Sequence, residues 1–404
     1  MQAQEFPEKW QLSFALLALH VNKQLTSSPG DTLLIYTGPS RWRAQVDNEQ
    51  PRPPERLIEE CDELLHELPV TGTRAAYVSG QLRAMRAMLA RAAGKPLPPR
   101  EHVRQCLGVA ADWQPEELFE AAHDRLAAAL PGSGSLTDRL QGWQRAHTLP
   151  PAQADRLPEL VNLAVAETRA RTQTIVPLPP DTTVDCVLAP GAHRGEYRSQ
   201  RRATIHIGNS APFNLADLLY VVAHEGFPGH IAESLLKEIH LVEEAGHAEH
   251  RVRFLISPSF VVSEGLGLHA QEIAFPGDEA QRWLTQTILR PLDIEPDGSD
   301  FAAIHDARTV LWGAWGNAAF LAVEGRPDAD IVDYLTRWAL LTEAEAGWAV
   351  NFLRTPGMDT YVLGYFHGWR LLRRWLEHPD RTARVRRLLT ESVLPTDLEP
   401  AAEG

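Results

Sequence analysis

The sequence predicts a mainly α protein with a small central β-sheet, and three features of the chain lead to this prediction. Apolar residues recur at three- and four-residue intervals over long stretches of the 404 residues, which is typical of amphipathic helices. One short segment near the middle alternates apolar and polar residues, as a strand does. Stretches rich in proline and glycine separate these segments, and the sequence shows no internal repeat.

The N-terminal half is predicted to form a helical scaffold. Residues 56–68 and 79–94 have apolar positions at helical spacing, and a group of prolines follows them. A further helix is expected after Pro115, and another over residues 157–174. We therefore expect a helical scaffold lobe over residues 1–180, which ends in a proline-rich stretch.

The second half begins with the alternating segment. Residues 203–208 alternate apolar and polar side chains, which predicts a half-buried strand. Asn214 is a good N-cap for the helix that follows, and Pro258 suits the first position of a helix that ends at residues 276–277. We expect residues 181–404 to form the second, catalytic lobe, continuous with the first.

Composition excludes several classes of protein. Lys plus Arg is 39 and Asp plus Glu is 53, a net charge of −14, which argues against a nucleic-acid partner. Three cysteines exclude a disulfide scaffold and fit reduced thiols in the cytoplasm. Residues 1–25 lack a basic start and a cleavage site, and no apolar run approaches the roughly 20 residues of a membrane span. We therefore expect a cytoplasmic protein without a membrane partner; its oligomeric state is not indicated.

The most informative segment is residues 215–237, where a predicted helix carries His224 and Glu225 next to each other. Apolar residues form a stripe on this helix, and His224 lies on the opposite side at 100° per residue. A His followed by Glu on a helix opens the zincin motif, in which the His binds zinc and the Glu accepts a proton from the activated water. We therefore expect His224 to bind a metal and Glu225 to act as the general base.

The second histidine of this segment is displaced from its usual place. The zincin motif has it four residues on, whereas here that position is Pro228 and the next histidine is His230. On a straight helix His224 and His230 would lie about 120° apart. Pro228 cannot donate a backbone hydrogen bond and Gly229 allows unusual torsions, so we predict a local break that brings His230 back to the metal.

A third metal ligand is expected on a second helix. Glu264 is followed by two glycines, Gly265 and Gly267, and a glycine costs a helix about 1 kcal/mol relative to alanine. The glycines therefore indicate that another group approaches closely. Two histidines and a glutamate with one open position are typical of catalytic zinc. Glu264 is the preferred ligand, Glu272 is the alternative, and His269 is expected to face elsewhere.

These motifs resemble those of the DUF885 family of zinc metallohydrolases, whose ligand scheme is related to that of the gluzincin peptidases. HEGFPGH at residues 224–230 is similar to the HExxPGH signature of that family. RRATIHIGNSAP at 201–212 resembles the strand and turn before the signature helix, and SEGLGLHAQEIA at 263–274 resembles the helix of the third ligand. TPGMDTYVLGY at 355–365 resembles a later segment, and the resemblance is strongest over residues 185–370.

The resemblance implies a gluzincin-like helical fold in which His224, His230 and Glu264 hold one zinc ion per chain. Position 231 is Ile, where many family members have a second His, which leaves His230 as the candidate. In the later segment the resemblance offers Tyr361 as a donor to the oxyanion of the transition state.

The combined interpretation is a zinc-dependent hydrolase that cleaves an amide bond in a peptide or small amide, with Glu225 as general base. We expect the strand at residues 203–207 to line the cleft and to pair with an extended substrate. Two alternatives stay open. One is a metal-binding protein without catalysis. The other is a di-iron carboxylate oxidoreductase, which needs two Glu-x-x-His motifs, and Glu244 with His247 supplies one.

Four further polar residues are weaker site candidates, and an ordinary structural role is expected for each. His206 lies on the polar side of the predicted strand and Asn209 in the turn after it. His305 and Arg308 lie one turn apart on a predicted helix.

Overall fold

The computed structural model describes residues 8–26 and 32–399. Over these residues the fold is mainly α with a small β-sheet, which confirms the predicted fold class. Residues 1–7 of the N-terminal stretch discussed above lie outside the described residues. Within those two ranges, none of the helices combines the length and the apolar character that a bilayer crossing requires.

The helical scaffold precedes the main sheet. Its elements are α1 (Glu8–Leu25), β1 (Leu34–Tyr36), α2 (Ser40–Asn48), α3 (Pro54–His66), α4 (Gly72–Ala92), α5 (Pro99–Leu107), α6 (Glu116–Ala129), α7 (Leu136–Ala146) and α8 (Leu157–Gln173). Helices α3 and α5 begin with proline, which suits this position because the first helical N–H needs no partner within the helix. Helix α6 begins directly after Pro115, as predicted.

The main sheet has three strands, β2 (Thr183–Ala189), β3 (Arg194–Ser199) and β4 (Arg202–Gly208), in the order β2-β4-β3. β4 is therefore central, parallel to β2 and antiparallel to β3. The expectation that the strand at residues 203–207 pairs with a substrate is wrong, because both of its edges are already hydrogen-bonded to neighbouring strands.

The predicted half-burial of this strand is also wrong. Thr204 and His206, which the alternating pattern assigned to solvent, are only 3% and 8% exposed. Side chains of the neighbouring strand cover this face: Glu196 of β3 lies 2.8 Å from Nε2 of His206. The alternation of apolar and polar residues identifies a strand, but it does not show whether other parts of the protein cover the polar face of that strand.

The second half returns to helices. They are α9 (Leu218–Glu225), α10 (His230–Lys237), α11 (Pro258–Ala274), α12 (Glu279–Leu284), α13 (Phe301–Val310), α14 (Trp312–Val323), α15 (Asp328–Trp338), α16 (Glu343–Arg354), α17 (Met358–Tyr361), α18 (Leu363–Leu376), α19 (Arg381–Thr390) and α20 (Pro395–Leu398). A short strand before α11, β5 (Val252–Phe254), pairs antiparallel with β1. The side chain of Asn214 accepts the N–H of Ala216 and caps the turn that leads into α9, as predicted.

Helix α11 lies at the centre of the molecule. Each of its residues except Glu272 is buried, and it packs against α4 and α5 of the first half and against α9 and α18 of the second. At its crossing with α18, the backbone of Gly265 lies so close to the carbonyl of Gly368 that a side chain would not fit. Because the residues beside Glu264 are fixed on all sides, the position of Glu264 is set by the core.

Candidate metal centre

The helix that carries His224 is interrupted before His230. α9 ends one residue after His224 and α10 begins at His230, so residues 226–229 form the predicted break. Within it the N–H of Gly229 donates to the carbonyl of Ala223 at 3.0 Å, and a Cβ on Gly229 would collide with the carbonyl oxygen of His224. The two imidazole rings come together, with centroids 4.8 Å apart.

Glu264 of α11 reaches both histidines. Its Oε2 lies 3.4 Å from Nε2 of His224, and its Oε1 lies 3.6 Å from Nε2 of His230. The three candidate ligand atoms all lie within 4.8 Å of one another. Glu264 is 2% exposed, and its Oε2 has no hydrogen-bond partner within the described part of the chain. A buried carboxylate oxygen without a hydrogen-bond donor is costly unless a cation lies beside it.

A buried hydrogen-bond network orients His230. Its Nδ1 lies 3.1 Å from Oγ of Ser263, and that hydroxyl donates to the carboxylate of Glu233. Since the hydroxyl proton is used on Glu233, Ser263 accepts from His230, and Nδ1 therefore carries a proton. Nε2 of His230 is then the nitrogen that faces Glu264. Arg253 and Lys237 bind the same Glu233 carboxylate at 2.9 and 2.6 Å.

The charges of the site depend on one another. Burial alone would raise the pKa of Glu264, but the imidazoles of His230 and His224 hold it well below its usual range. Burial alone would lower the pKa of His230, whereas the Glu264 carboxylate raises it, to about 9. A proton on His230 therefore balances the carboxylate, and a metal ion bound at this nitrogen would take the place of that proton, because a metal ligand must offer a free lone pair.

Gly267 gives the ring of His224 its space. A Cβ at this position would lie 2.7 Å from Cε1 of His224 and 2.8 Å from both ring nitrogens. The close approach that the two glycines after Glu264 predicted is therefore confirmed, with α18 beside the first and His224 beside the second.

Tyrosines lie beside Glu264. The hydroxyl of Tyr361 donates to Oε1 of Glu264 at 2.5 Å, and the ring of Tyr365 packs edge-on against Tyr361 at 5.5 Å. Burial, with the Glu264 carboxylate nearby, raises the pKa of both tyrosines well above their usual value, so both hydroxyls keep their protons. Tyr365 and Tyr220 were not predicted. Their spacing could have indicated them, since Tyr365 lies four residues after Tyr361 and Tyr220 four before His224.

Glu225 is held by the edge strand. Its Oε2 accepts the backbone N–H of Gly195 in β3 at 2.7 Å. His193 precedes this strand, and its Nδ1 accepts the N–H of Gly208 at 3.0 Å. Burial lowers the pKa of His193, partly offset by the nearby Glu225 carboxylate. In the neutral ring Nε2 therefore carries the proton. No motif in the sequence indicated His193.

The alternative third ligand, Glu272, lies away from the centre. Glu272 is exposed and pairs with Arg381. His269 donates from its Nε2 to the carbonyl oxygen of Trp369 at 3.0 Å. Asn209 is exposed in the turn after β4.

The remaining candidates have structural partners. His305 and Arg308 of α13 both contact Oδ1 of Asp217, at 2.8 and 3.0 Å, and so connect α13 to the start of α9. His206 is bound to Glu196 across the sheet.

A second cluster of possible ligands consists of His247, Glu249 and His250. Both oxygens of Glu249 accept hydrogen bonds from Arg74, at 2.6 and 2.9 Å. A guanidinium therefore already neutralises this carboxylate. Glu244, which with His247 formed the di-iron type of motif, bonds to a neighbouring histidine instead.

The residues of the first cluster fit a divalent metal such as zinc. It offers two imidazole nitrogens and one carboxylate oxygen, which is a donor set of catalytic zinc sites. The carboxylate oxygen without a donor and the hydrogen-bonded Nδ1 of His230 are both features that a metal site needs.

Replacing Gly267 by alanine tests the packing around His224. We expect Gly267→Ala to lower the free energy of unfolding by about 1–3 kcal/mol, because the added methyl group overlaps the ring. Urea denaturation measures this change. Gly347→Ala is the control: Gly347 lies within α16 with open space around it, and alanine there should stabilise by about 0.5–1 kcal/mol. Equal stability of Gly267→Ala and wild type would show that the ring has room.

Replacing Ser263 tests the orientation of His230. We expect Ser263→Ala to lower zinc affinity about 10–100-fold, because the imidazole loses the acceptor that fixes its Nδ1 proton. Competition with a chromogenic chelator measures the affinity. Ser259→Ala on the same helix is the control, since Ser259 is buried but bonds to Ser257. Equal affinities of the two variants would exclude this role for Ser263.

Comparison with known proteins supports the fold of this chain but does not indicate an activity. No family model matches the chain, and no curated protein matches it. Among solved structures, the chain is similar to the crystal structure of a protein of Colwellia psychrerythraea described as a "putative lipoprotein", with a TM-score of 0.51 and 13% sequence identity. The similarity covers 98% of this chain and 76% of that one, so it extends over nearly all of the helical architecture.

Proposed function

We propose that the protein is a zinc-dependent hydrolase that cleaves amide bonds in peptides by the zincin mechanism. The observation that carries this proposal is the convergence of the buried His224 and Glu264 with the half-buried His230, at the end of the helix that also presents Glu225. The resemblance of HEGFPGH and of the Glu264 helix to the DUF885 family supports the same assignment.

His224, His230 and Glu264 would hold the metal. When bound, zinc supplies a Lewis acid that polarises the scissile carbonyl and lowers the pKa of water toward about 7. Zinc is preferred over iron because HEGFPGH, with a glutamate directly after its first histidine, resembles the signature of zinc hydrolases.

Glu225 is the proton carrier in this proposal. One oxygen of its carboxylate is fixed by the N–H of Gly195, which sets the plane of the group and leaves the other oxygen to accept the proton of the attacking water. The same carboxyl then delivers the proton to the leaving amine. Burial keeps the hydroxyls of Tyr361 and Tyr365 protonated. We assign Tyr361 as the donor to the developing oxyanion, for which its hydroxyl would turn from Oε1 of Glu264, where it donates in this structure, to the oxyanion.

The edge strand β3 replaces β4 as the candidate support for the substrate. Within residues 8–26 and 32–399, β3 pairs with a strand on one side only, and the N–H of Gly195 on this strand donates to Glu225. An extended peptide that lies along this edge would bring its backbone next to the general base.

Metal content tests the ligand set. We expect Glu264→Ala to lose most of the bound zinc, because it removes one of three protein ligands and leaves two. Glu272→Ala, eight residues along the same helix, should retain wild-type zinc. Elemental analysis of the purified variants measures both. The reverse pattern would make Glu272 the ligand, and two irons per chain would favour the carboxylate oxidoreductase.

Replacing the general base separates chemistry from metal binding. We expect Glu225→Gln to keep its zinc and its thermal stability, since glutamine has nearly the same shape, while peptide cleavage falls by roughly 10²-fold or more. Digestion of a mixed peptide library, followed by mass spectrometry, measures the turnover, with Glu272→Gln as the control. Loss of zinc would make Glu225 a ligand. Unchanged cleavage would refute the mechanism, and no cleavage by the zinc-loaded wild type would favour a metal-binding protein without catalysis.

A further inference from the structure

Six aromatic side chains form a continuous row that begins at the metal centre. The row leads from α17 and α18 over α14 to α16, and its members in this order are Tyr361, Tyr365, Trp312, Trp315, Phe352 and Trp348. Each ring lies beside the next, with centroids 4.3–6.5 Å apart. At one end the hydroxyl of Tyr361 donates to Glu264. The aromatic row therefore connects a proposed zinc ligand with α16.

The aromatic row is partly exposed along its whole length. Five of its rings are half-buried and pack against the hydrophobic core on one side only. Trp348, at the far end, is 54% exposed and is the most exposed large apolar side chain in the described part of the chain. Contiguous exposed aromatic surface is typical of binding sites, because a ligand that covers it removes apolar area from water on both partners.

Arginines cover other tryptophans of the second half but leave the aromatic row open. Trp338, Trp369 and Trp375 each have a guanidinium over the ring, at 4.6, 5.2 and 4.2 Å from the centroid. Within residues 8–26 and 32–399, none of the six rings of the row has such a cover. A cation over an aromatic face occupies the position that a ligand would take. The outer side of the row is therefore available to a ligand without a charge.

The spacing of the rings suits an extended peptide. Each residue of an extended chain advances about 3.3 Å and side chains alternate between two faces, so those on one face recur about every 6.6 Å. The ring centroids of the row are separated by 4.3–6.5 Å, which is close to this repeat. Aromatic rings attract one another in offset and edge-on arrangements at about 4.5–7 Å between centroids. Alternate aromatic side chains of one peptide can therefore each meet a ring of the row.

We propose that the aromatic row selects the substrate: an oligopeptide with aromatic side chains at alternate positions on one side of the bond that is cut. This inference rests on the proposed function, because the contact of Tyr361 with Glu264 is what makes the row continuous with the metal centre. The part of the peptide beyond the scissile bond lies along the row and ends near Trp348. A dipeptide is too short to reach that end, so the row favours longer substrates.

Binding of matched peptides to the full-length Glu225→Gln variant tests the proposal, since this variant is expected to leave the peptides intact. The probes are fluorescein-labelled octapeptides in which serine alternates with phenylalanine, leucine or alanine, and fluorescence anisotropy measures their affinities. We expect the phenylalanine peptide to bind about tenfold or more tighter than the alanine peptide, because it buries more apolar surface. It should also bind about threefold or more tighter than the leucine peptide, because aromatic pairs add to that burial.

A variant at the far end of the row locates the binding. Added to Glu225→Gln, Trp348→Ala should weaken binding of the phenylalanine peptide about fivefold or more, because it removes the last ring. Trp113→Ala is the matched control, since Trp113 is also exposed, at 44%, but its ring lies against Tyr334 outside the row. In the zinc-loaded protein with Glu225 intact, Trp348→Ala should raise KM for the phenylalanine peptide and leave kcat unchanged. Thermal unfolding checks that each variant is folded, and the comparison of peptides needs no substitution in the row.

Three results would overturn the proposal. They are equal affinities for the phenylalanine peptide and either of the other two, undiminished binding of that peptide by folded Trp348→Ala, and tighter binding of chitohexaose, which would assign the row to a glycan. The proposed activity fails separately. Cleavage of peptides without any preference for aromatic residues would refute the role of the row and leave the hydrolase in place. Tight binding of the phenylalanine peptide, without cleavage of any peptide by the zinc-loaded wild type, would refute the hydrolase and support the row as a peptide-binding surface.

Discussion

The geometry of the candidate centre depends on the interruption of one helix between Glu225 and His230. An uninterrupted helix would turn the two histidines about 120° apart, and no side chain from α11 could reach both. The break ends α9 and starts α10 within four residues, and it brings the imidazole rings to 4.8 Å. Pro228 cannot continue the hydrogen bonding of α9, and only glycine fits at position 229 against the carbonyl of His224.

The second constraint is the burial of α11. A carboxylate in the middle of a core helix is unfavourable unless positive charge lies close to it, and here the imidazole of His230 provides it. The glycines after Glu264 let α18 and the ring of His224 approach the helix backbone. Core packing and the metal site therefore restrict the same residues, and a change in one affects the other.

Around this centre the protein uses buried polar groups to orient the functional ones. Glu233, balanced by Arg253 and Lys237, holds Ser263, and Ser263 holds His230. On the other side, the backbone of β3 holds Glu225. The side chains proposed to bind metal and to transfer protons thus have few alternative positions, which is what a site needs to act without reorganisation.

The sequence by itself determined the helical character, the break and the grouping of His224, Glu225, His230 and Glu264 as candidates. These depend on local chemistry: apolar spacing, a proline that ends hydrogen bonding, and glycines that leave space. Only the tertiary structure decided what depends on distant contacts. It buried the polar face of β4 and closed both edges of that strand, because β2 and β3 lie on either side of it. It placed Glu264 in the core and Glu272 in solvent, because packing against α18 and α9 sets the rotation of α11. It also brought His193 and Ser263 to their partners, since a hydrogen bond between residues far apart in the chain leaves no periodic signal in the sequence.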